Sequence, residues 1–173
     1  MASDDEGHLK YKLKDNLLHC KYDEWLLHKK KSNIKKSEWQ TCLSIDQIET
    51  TLGEGTFGKV VACRDHQTNK KYAIKIIKNI ARYREAARLE LDALYKLKDL
   101  KKQRKCPIVE ILDAFDLNGH ICLVFPVLGQ STYDYQKANS YRPYELDDIK
   151  SMSFQLLTAL KCEFASFVNF QYY

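Results

Sequence analysis

The stretch TLGEGTFGKVV, Thr51 to Val61, places three glycines within six positions and follows them with a lysine and two valines. Glycine-rich turns of this kind let backbone amides come close to the phosphates of a nucleotide. The neighbouring runs VVAC and YAIKII are rich in strand-forming residues and are separated by the turn residues HQTN, a pattern typical of an antiparallel meander. The stretch therefore predicts a β-hairpin whose turn is suited to holding a phosphate.

Downstream of the glycines, the sequence predicts one helix and a second hairpin. Apolar residues repeat at helical spacing from about Ala81 to Lys98. Two strand-like runs, IVEILDAF and HICLVF, then flank LNGH, in which Asn118 and Gly119 suit the positive φ angles of a tight type I′ turn. The expected order is three strands, a helix and two strands, which is an α+β arrangement.

The two ends of the chain predict further helices. A short helix is expected after Ser131 and a longer one from about Glu145. Residues 1–44 form a lysine-rich arm in which apolar residues recur at roughly helical spacing from Leu9 to Leu26, so we expect one amphipathic helix docked on the domain. The apolar stripe expected on the longer C-terminal helix consists of Ile149, Met152, Leu156 and Leu160.

Three kinds of phosphate-binding loop carry glycines at similar spacing. GEGTFGKV matches the P-loop pattern G-x-x-x-x-G-K-[ST] except at Val60, which lacks the hydroxyl that would hold Mg²⁺, and no helix is expected to follow. A dinucleotide-binding loop needs a following helix and an acidic residue about 20 positions on, where this chain has Ala73. The protein-kinase loop G-x-G-x-x-G-x-V is the turn of a β-hairpin over the phosphates of ATP. The chain fits this third loop through Gly53, Gly55, Gly58 and Val60.

The next strand and helix supply residues that suit the third loop. In a kinase, a lysine one hairpin later reaches the α- and β-phosphates, and a small residue two positions before it leaves room for adenine. YAIK provides these as Lys75 and Ala73. In the helix, Glu90 lies on the expected buried stripe, where a carboxylate needs a cationic partner such as Lys75. The apolar members of that stripe are Tyr83, Ala87, Leu91, Leu94 and Leu97.

Together these motifs resemble the eukaryotic protein kinases over residues from about 46 to 160. The strings TLGEGTFGKVV, KNIARYREAARLE, GHICLVF and LGQSTYDY resemble in particular the LAMMER (cdc-like, dual-specificity) kinases, which phosphorylate arginine-serine-rich splicing factors. The resemblance implies an α+β fold with a kinase N-lobe, in which the five strands form one antiparallel sheet beside one helix, followed by a truncated helical C-lobe. It also implies ATP and Mg²⁺ as cofactors and protein hydroxyls as substrates.

The resemblance assigns roles to individual residues. The catalytic pair would be Lys75 and Glu90. The hinge against adenine would use the carbonyl of Pro126 and the amide of Leu128, so the missing N–H of proline is tolerable. Phe57, at the tip of the loop, would help to shield the phosphates from water. The remaining residues of the expected ATP site are Leu52, Gly53, Glu54, Gly55, Thr56, Gly58, Lys59, Val60, Ala73, Phe125 at the gatekeeper position, Val127 in the hinge and Ser131 near the ribose.

The sequence departs from this family pattern after QLLTAL. The family continues into a catalytic loop like H-x-D-L-K-P-E-N and a D-F-G motif, whereas this chain reads KCEFASFVNFQYY, with no aspartate after Asp148. The catalytic base and both protein ligands of Mg²⁺ are therefore expected to be missing. We expect a basic arm at 1–44, an incomplete kinase domain at 45–160 and a divergent tail at 161–173. The tail looks like a different sequence joined to the kinase domain by alternative splicing, by intron read-through or by a faulty gene model.

Composition and charge narrow the classes of protein. No apolar run approaches the length of a membrane span and MASDDEGHLK lacks the features of a signal peptide, so we expect a protein of the nucleus or cytoplasm without membrane contact. The six scattered cysteines show no metal-ligand spacing and are expected to be reduced thiols. Two lysine clusters, near residues 30 and 100, carry much of the basic character, and solvated surface is their simplest interpretation.

Two other functions stay open from the sequence alone. One is a non-catalytic truncated isoform that binds nucleotide or titrates the partners of a kinase, which a transcript encoding the tail after Leu160 would favour. The other is nucleic-acid binding through the lysine clusters. Direct nucleic-acid binding is disfavoured because those clusters lack the interleaved aromatic residues that stack on bases.

Overall fold

The computed structural model describes residues 3–11, 45–65, 68–103 and 106–168, and these form an α+β fold in the expected order. The chain divides into two compact units, one of Met1–Leu91 and Ile111–Val127 and one of Asp92–Glu110 and Leu128–Tyr173. The strands are β1 (Ile45–Gly55), β2 (Gly58–Asp65), β3 (Lys71–Ile77), β4 (Asp113–Leu117) and β5 (His120–Pro126). The helices are α1 (Ala81–Gln103), α2 (Thr132–Ala138) and α3 (Leu146–Val168).

The first unit is built on a five-stranded sheet with the order β1-β2-β3-β5-β4, in which all neighbouring strands are antiparallel. Because side chains alternate between the two faces of a strand, one face of β3 carries Tyr72, Ile74 and Ile76. All three are buried and form the centre of the apolar core. The core cluster consists of Leu9, Ile48, Val61, Cys63, Tyr72, Ile74, Ile76, Phe115, Leu117, Cys122 and Val124.

The turn between β4 and β5 confirms the expected hairpin. Asn118 has a φ of 51° and Gly119 a φ of 87°, which are the left-handed conformations that the Asn-Gly pair favours. Helix α1 is anchored to this turn through Arg84, which donates to the carbonyl of Gly119 and forms an ion pair with Asp116 at 3.2 Å. The hairpin therefore helps to hold the first turns of α1 beside the sheet.

Helix α1 begins where the sequence predicts and runs five residues further, to Gln103. Neither glycine nor proline interrupts this segment, and its apolar residues recur at helical spacing. Ala87 and Leu91 are buried, while Leu94 and Leu97 are half-buried. The predicted stripe is therefore present, and its most deeply buried part belongs to the first unit.

Residues 3–11, which we call the N-terminal strap, pack on the first unit without forming a helix. A bridge joins Ser3 and Leu9, and Leu9 is only 3% exposed within the core cluster. The strap is also hydrogen-bonded to the sheet: Ser3 Oγ lies 2.8 Å from His120 Nε2, and Tyr11 Oη lies 2.8 Å from the Thr51 hydroxyl. The prediction of an amphipathic helix is therefore wrong over residues 9–11, and the rest of the predicted helix lies outside the described residues.

The strap also contacts the segment that leads into α1. Its Gly7 carbonyl accepts a hydrogen bond from the amide of Asn79 at 2.8 Å. Gly7 has a φ of 80°, a left-handed conformation that glycine adopts at little cost. A side chain at Gly7 would also meet the Ile80 side chain, so this position needs glycine for both conformation and space.

The cysteines correct one expectation. Cys106, in the loop after α1, and Cys162, in α3, form a disulfide with a Cα–Cα distance of 6.2 Å, whereas reduced thiols were predicted. Both residues belong to the second unit. Cys63 and Cys122 are free thiols within the core, where burial raises the pKa of Cys63 to about 12 and that of Cys122 well above its usual value. These two therefore match the prediction, and Cys20 and Cys42 lie outside the described residues.

The second unit contains the two C-terminal helices that the sequence predicts. Ser131 caps α2, since its side-chain oxygen accepts a hydrogen bond from the amide of Asp134 at 3.0 Å. On α3, the predicted stripe residues Ile149, Leu156 and Leu160 are exposed, and Met152 is half-buried. None of the helices in the described part of the chain combines the length and apolar character needed to cross a membrane.

The strap is expected to stabilise the first unit through Leu9. Replacing Leu9 by alanine should lower the free energy of unfolding by about 2–5 kcal/mol, the usual effect of truncating a buried leucine. Urea unfolding followed by circular dichroism measures this change. Leu89→Ala, at a position 68% exposed on α1, is the matched control and should change stability far less. Equal midpoints for the Leu9→Ala variant and the original chain would show that the strap is not docked.

Candidate functional site

The register of the central strands gathers several predicted site residues on one face of the sheet. Lys75 pairs with Val60 on β2 and with Leu123 on β5, and Ala73 pairs with Phe125. Directly paired residues of antiparallel strands point to the same face. These five side chains therefore share the face opposite the core cluster.

Lys75 and Glu90 form the ion pair that the sequence predicts. Lys75 Nζ lies 2.6 Å from Glu90 Oε1 and 2.8 Å from Glu90 Oε2, so the ammonium donates to both carboxylate oxygens. The two side chains are 31% and 40% exposed, however, whereas a buried carboxylate was expected. Water therefore screens the pair, and its contribution to stability is that of a surface ion pair.

A cavity of about 210 Å³ lies beside this ion pair in the first unit. Its polar end is formed by Lys75 and Glu90, and its other walls are apolar or aromatic. The cavity thus joins the tip of the glycine-rich hairpin, strand β3 and the first turns of α1. Its lining residues are Phe57, Lys75, Ile77, Tyr83, Ala86, Ala87 and Glu90.

The glycine-rich stretch forms a β-hairpin, as predicted, with Thr56 and Phe57 at the turn between β1 and β2. The carbonyl of Phe57 accepts a hydrogen bond from the amide of Lys78 at 2.9 Å, which ties the turn to the end of β3. Lys78 lies just beyond that strand. The tip of the hairpin is therefore held near Lys75 by backbone contacts.

The three glycines of the hairpin have different structural requirements. A side chain at Gly58 would clash with the carbonyl of Ile76, so the close approach of β2 to β3 needs glycine there. At Gly53 and Gly55 a Cβ would meet no atom within 4 Å, and neither residue has a left-handed φ. Folding therefore accounts for Gly58 alone, and the other two leave open space above the hairpin backbone.

Charged residues on the hairpin interact with each other and with the strap. Lys59 Nζ lies 3.4 Å from Glu54 Oε1 across the two strands. His8 Nε2 lies 3.4 Å from the same oxygen. Burial of the imidazole, with the nearby cations Lys78 and Lys59, lowers the pKa of His8, so the neutral ring faces Glu54 near pH 7. Leu52 and Thr56 are exposed.

The predicted hinge spans the end of β5 and the residues that follow it. Phe125 and Pro126 are half-buried at the end of the strand, and Val127 is exposed. Leu128 and Ser131 belong to the second unit. Besides its capping role, the Ser131 hydroxyl donates to Asp134 Oδ2 at 2.6 Å. The ribose-binding role of Ser131 therefore stays a prediction.

The structure adds residues to the site that the sequence did not identify as functional. Tyr83 was predicted only as part of a buried stripe, yet its ring packs against Phe57 at the hairpin tip. Ile77 lines the same cavity. The helical position of Tyr83, two turns before Glu90, was the available signal. Across the described ranges, His, Cys, Asp and Glu side chains form no group of three or more that could hold a metal ion.

A comparison with protein families identifies the class of protein. The model described as "Protein kinase domain" matches residues 47–170, which is more than half of the chain. The chain therefore belongs to the protein kinase family. Members of this family use ATP with Mg²⁺.

Comparison with curated proteins refines this assignment. "Dual specificity protein kinase CLK2" of Homo sapiens is 47% identical over 116 residues, which cover 66% of this chain and 23% of the relative. "Serine/threonine-protein kinase Doa" of Drosophila melanogaster is 46% identical over 117 residues, covering 66% of this chain and 14% of the relative. The chain thus spans less than a quarter of the length of these relatives. The similarity supports the resemblance to cdc-like, dual-specificity kinases.

The exposure of the Lys75–Glu90 pair predicts a small effect on stability. Glu90→Gln should change the free energy of unfolding by about 1 kcal/mol or less, because exposed ion pairs contribute little. The neighbouring Leu91, which is buried, provides the control: Leu91→Ala should cost about 2–5 kcal/mol. Urea titration of both variants measures the difference. A loss for Glu90→Gln as large as that for Leu91→Ala would contradict a surface-like ion pair.

Proposed function

We propose that residues 45–160 are the ATP-binding portion of a protein kinase that phosphorylates serine and threonine hydroxyls of proteins, with tyrosine as a further acceptor. The main support is that the Lys75 ammonium donates to both carboxylate oxygens of Glu90. Lys75 lies on the sheet face that also carries Ala73. In this arrangement Glu90 orients the ammonium of Lys75 toward the space beside the glycine-rich hairpin. An oriented ammonium next to backbone amides is suited to phosphate oxygens.

The shape of the hairpin fits a triphosphate. Open space at Gly53 and Gly55 lets phosphate oxygens approach the backbone, which side chains there would obstruct. Ala73 and Phe125, paired across β3 and β5, would flank the adenine ring. When bound, ATP supplies the γ-phosphoryl group for transfer. The residues of this chain would bind and orient that nucleotide. Lys75 would contact the phosphates, and Phe57 would shield them from water.

The acidic side chains of α2 and α3 have interactions other than metal binding. No group of three or more acidic, histidine or cysteine side chains lies together among the residues that the structure describes. Asp147 and Asp148 occupy the first turn of α3, where carboxylates interact favourably with the helix dipole. The carboxylate of Asp134 accepts a hydrogen bond from the Ser131 hydroxyl.

The similarity to dual-specificity kinases supports protein substrates for the enzyme to which this portion corresponds. Within that class we propose arginine-serine-rich proteins such as splicing factors as substrates, and the nucleus or cytoplasm as the place of action. The resemblance of TLGEGTFGKVV and KNIARYREAARLE to LAMMER kinases supports the substrate proposal. A non-catalytic isoform that titrates kinase partners is the alternative.

Nucleotide binding by the 173-residue polypeptide is the first test. We expect weak binding of ATP in calorimetry, because the 173 residues include the hairpin, Lys75 and the hinge but no D-F-G motif, which supplies a magnesium ligand in kinases. Lys75→Ala should weaken the binding further. Lys71→Ala is the matched control, because Lys71 lies on the same strand as Lys75 but is paired with Glu49 on β1. This variant should bind ATP as the original chain does. Equal ATP affinity for Lys75→Ala and Lys71→Ala would count against the proposed pocket.

Phosphate transfer is the second test. We expect the 173-residue polypeptide alone to transfer no phosphate, since phosphoryl transfer depends on positioned charges and no aspartate follows Asp148 in these residues. General-base help alone is worth about 10²–10⁴ in rate. Labelled ATP and an arginine-serine peptide are incubated with the polypeptide and with its Lys75→Met variant. Phosphorylation by the former and not by the latter would overturn this expectation.

A further inference from the structure

Tyr83 on α1 contacts the tip of the glycine-rich hairpin. Its ring centroid lies 5.3 Å from that of Phe57, and the two rings meet edge to face at 77°. This is a favourable geometry for an aromatic pair. The contact therefore joins the hairpin turn to helix α1, although the two residues are 26 positions apart in the sequence.

Arg82 holds the ring of Tyr83 in place. The guanidinium carbon lies 4.6 Å from the ring centroid, within the range of a cation–π interaction. Arg82 Nη2 also donates to the Tyr83 hydroxyl at 2.8 Å. These two contacts restrict the orientation of the ring that packs against Phe57.

The Phe57–Tyr83 pair stands at the apolar side of the cavity whose polar end is the Lys75–Glu90 pair. Tyr83 and Glu90 lie two helical turns apart, on the same side of α1. Phe57 and Lys75 are likewise joined, because the Phe57 carbonyl is bonded to the Lys78 amide at the end of β3. Two contacts thus link hairpin and strand to one helix, one aromatic and one ionic.

We propose that Tyr83 is a positioning residue that holds Phe57, and with it the hairpin tip, over the phosphate end of the nucleotide. This inference rests on the proposed function, because it assigns the bound phosphates to the space beside Lys75. Tyr83 does not touch the nucleotide itself; it acts through Phe57. Its effect should therefore depend on the phosphates of the ligand and not on the adenosine part.

The experiment compares ATP with adenosine as probes, using calorimetry on the 173-residue chain. Tyr83→Ala should lower ATP affinity about two- to tenfold, the size expected for one aromatic pair, and leave adenosine affinity unchanged. Tyr83→Phe keeps the ring and should retain ATP affinity within about twofold. Leu89→Ala, at an exposed position of the same helix, should bind both probes as the original chain does.

A double-mutant cycle identifies the partner of Tyr83. Phe57→Ala should lower ATP affinity at least as much, and the Phe57→Ala, Tyr83→Ala double variant should lose little more than Phe57→Ala alone. Thermal unfolding of each variant, followed by circular dichroism, shows that the chain is folded. Additive losses would mean that the two rings act separately and would overturn the inference.

The remaining outcomes separate the two proposals. If the original chain binds ATP and Tyr83→Ala binds it equally well, the inference is wrong and the proposed function stands. An equal loss for ATP and adenosine would assign Tyr83 a general structural role, and a gain in ATP affinity would mean that the aromatic pair obstructs the site; either result overturns the inference. Absence of ATP binding by the original chain would overturn the proposed function and this inference together.

Discussion

Alternation of side chains along strand β3 is the constraint on which both the core and the candidate site depend. Tyr72, Ile74 and Ile76 face the buried cluster, so the residues between them must face the other way. Lys75 is one of these residues. A shift of one residue in register would turn the lysine toward the apolar core and remove the isoleucines from it, and both changes oppose folding. Since β3 is bonded on both sides, its register also sets which residues of β2 and β5 surround Lys75.

The orientation of Lys75 then depends on how firmly α1 is held. The Lys75–Glu90 pair is too exposed to hold the helix by itself. Three other contacts do so: Arg84 on the β4–β5 turn, Ala87 and Leu91 in the interior, and the strap carbonyl of Gly7 on Asn79 just before the helix. The ion pair is therefore a consequence of helix placement, and its value is the direction that it gives to the ammonium group.

Local signals in the sequence predicted most elements correctly because the residues concerned determine their own conformation. Asn118 and Gly119 take positive φ in the turn, and Ser131 caps its helix through its own side chain. Features set by distant contacts were not predictable in this way. The Cys106–Cys162 bond joins residues 56 positions apart without any spacing motif. Leu9 fitted a helical repeat, yet a bridge to Ser3 and hydrogen bonds from the strap to His120 on β5 and Thr51 on β1 hold its segment in an extended form.

The candidate site likewise combines features that local sequence patterns predict with features that depend on distant contacts. The alternating pattern of YAIK and the helical spacing of Glu90 predicted that the two charges would meet. Periodicity gives the direction of a side chain and not its depth, so the 40% exposure of Glu90 was not predictable. The packing of Tyr83 on Phe57 depends on the path of the hairpin tip, which no local pattern in α1 reports.

The unequal demands on the three hairpin glycines have an evolutionary consequence. Selection for a folded sheet acts on Gly58, whose side-chain position is filled by the Ile76 carbonyl, while under the proposed function it is the ligand that requires glycine at Gly53 and Gly55. A descendant of this chain that no longer binds nucleotide would accumulate other residues in place of Gly53 and Gly55. Alanine at these positions would also reduce the conformational entropy of the unfolded chain. Such a descendant would still retain Gly58. The substitutions found at these three positions would thus distinguish a lineage that still binds its ligand from one that has retained only the fold.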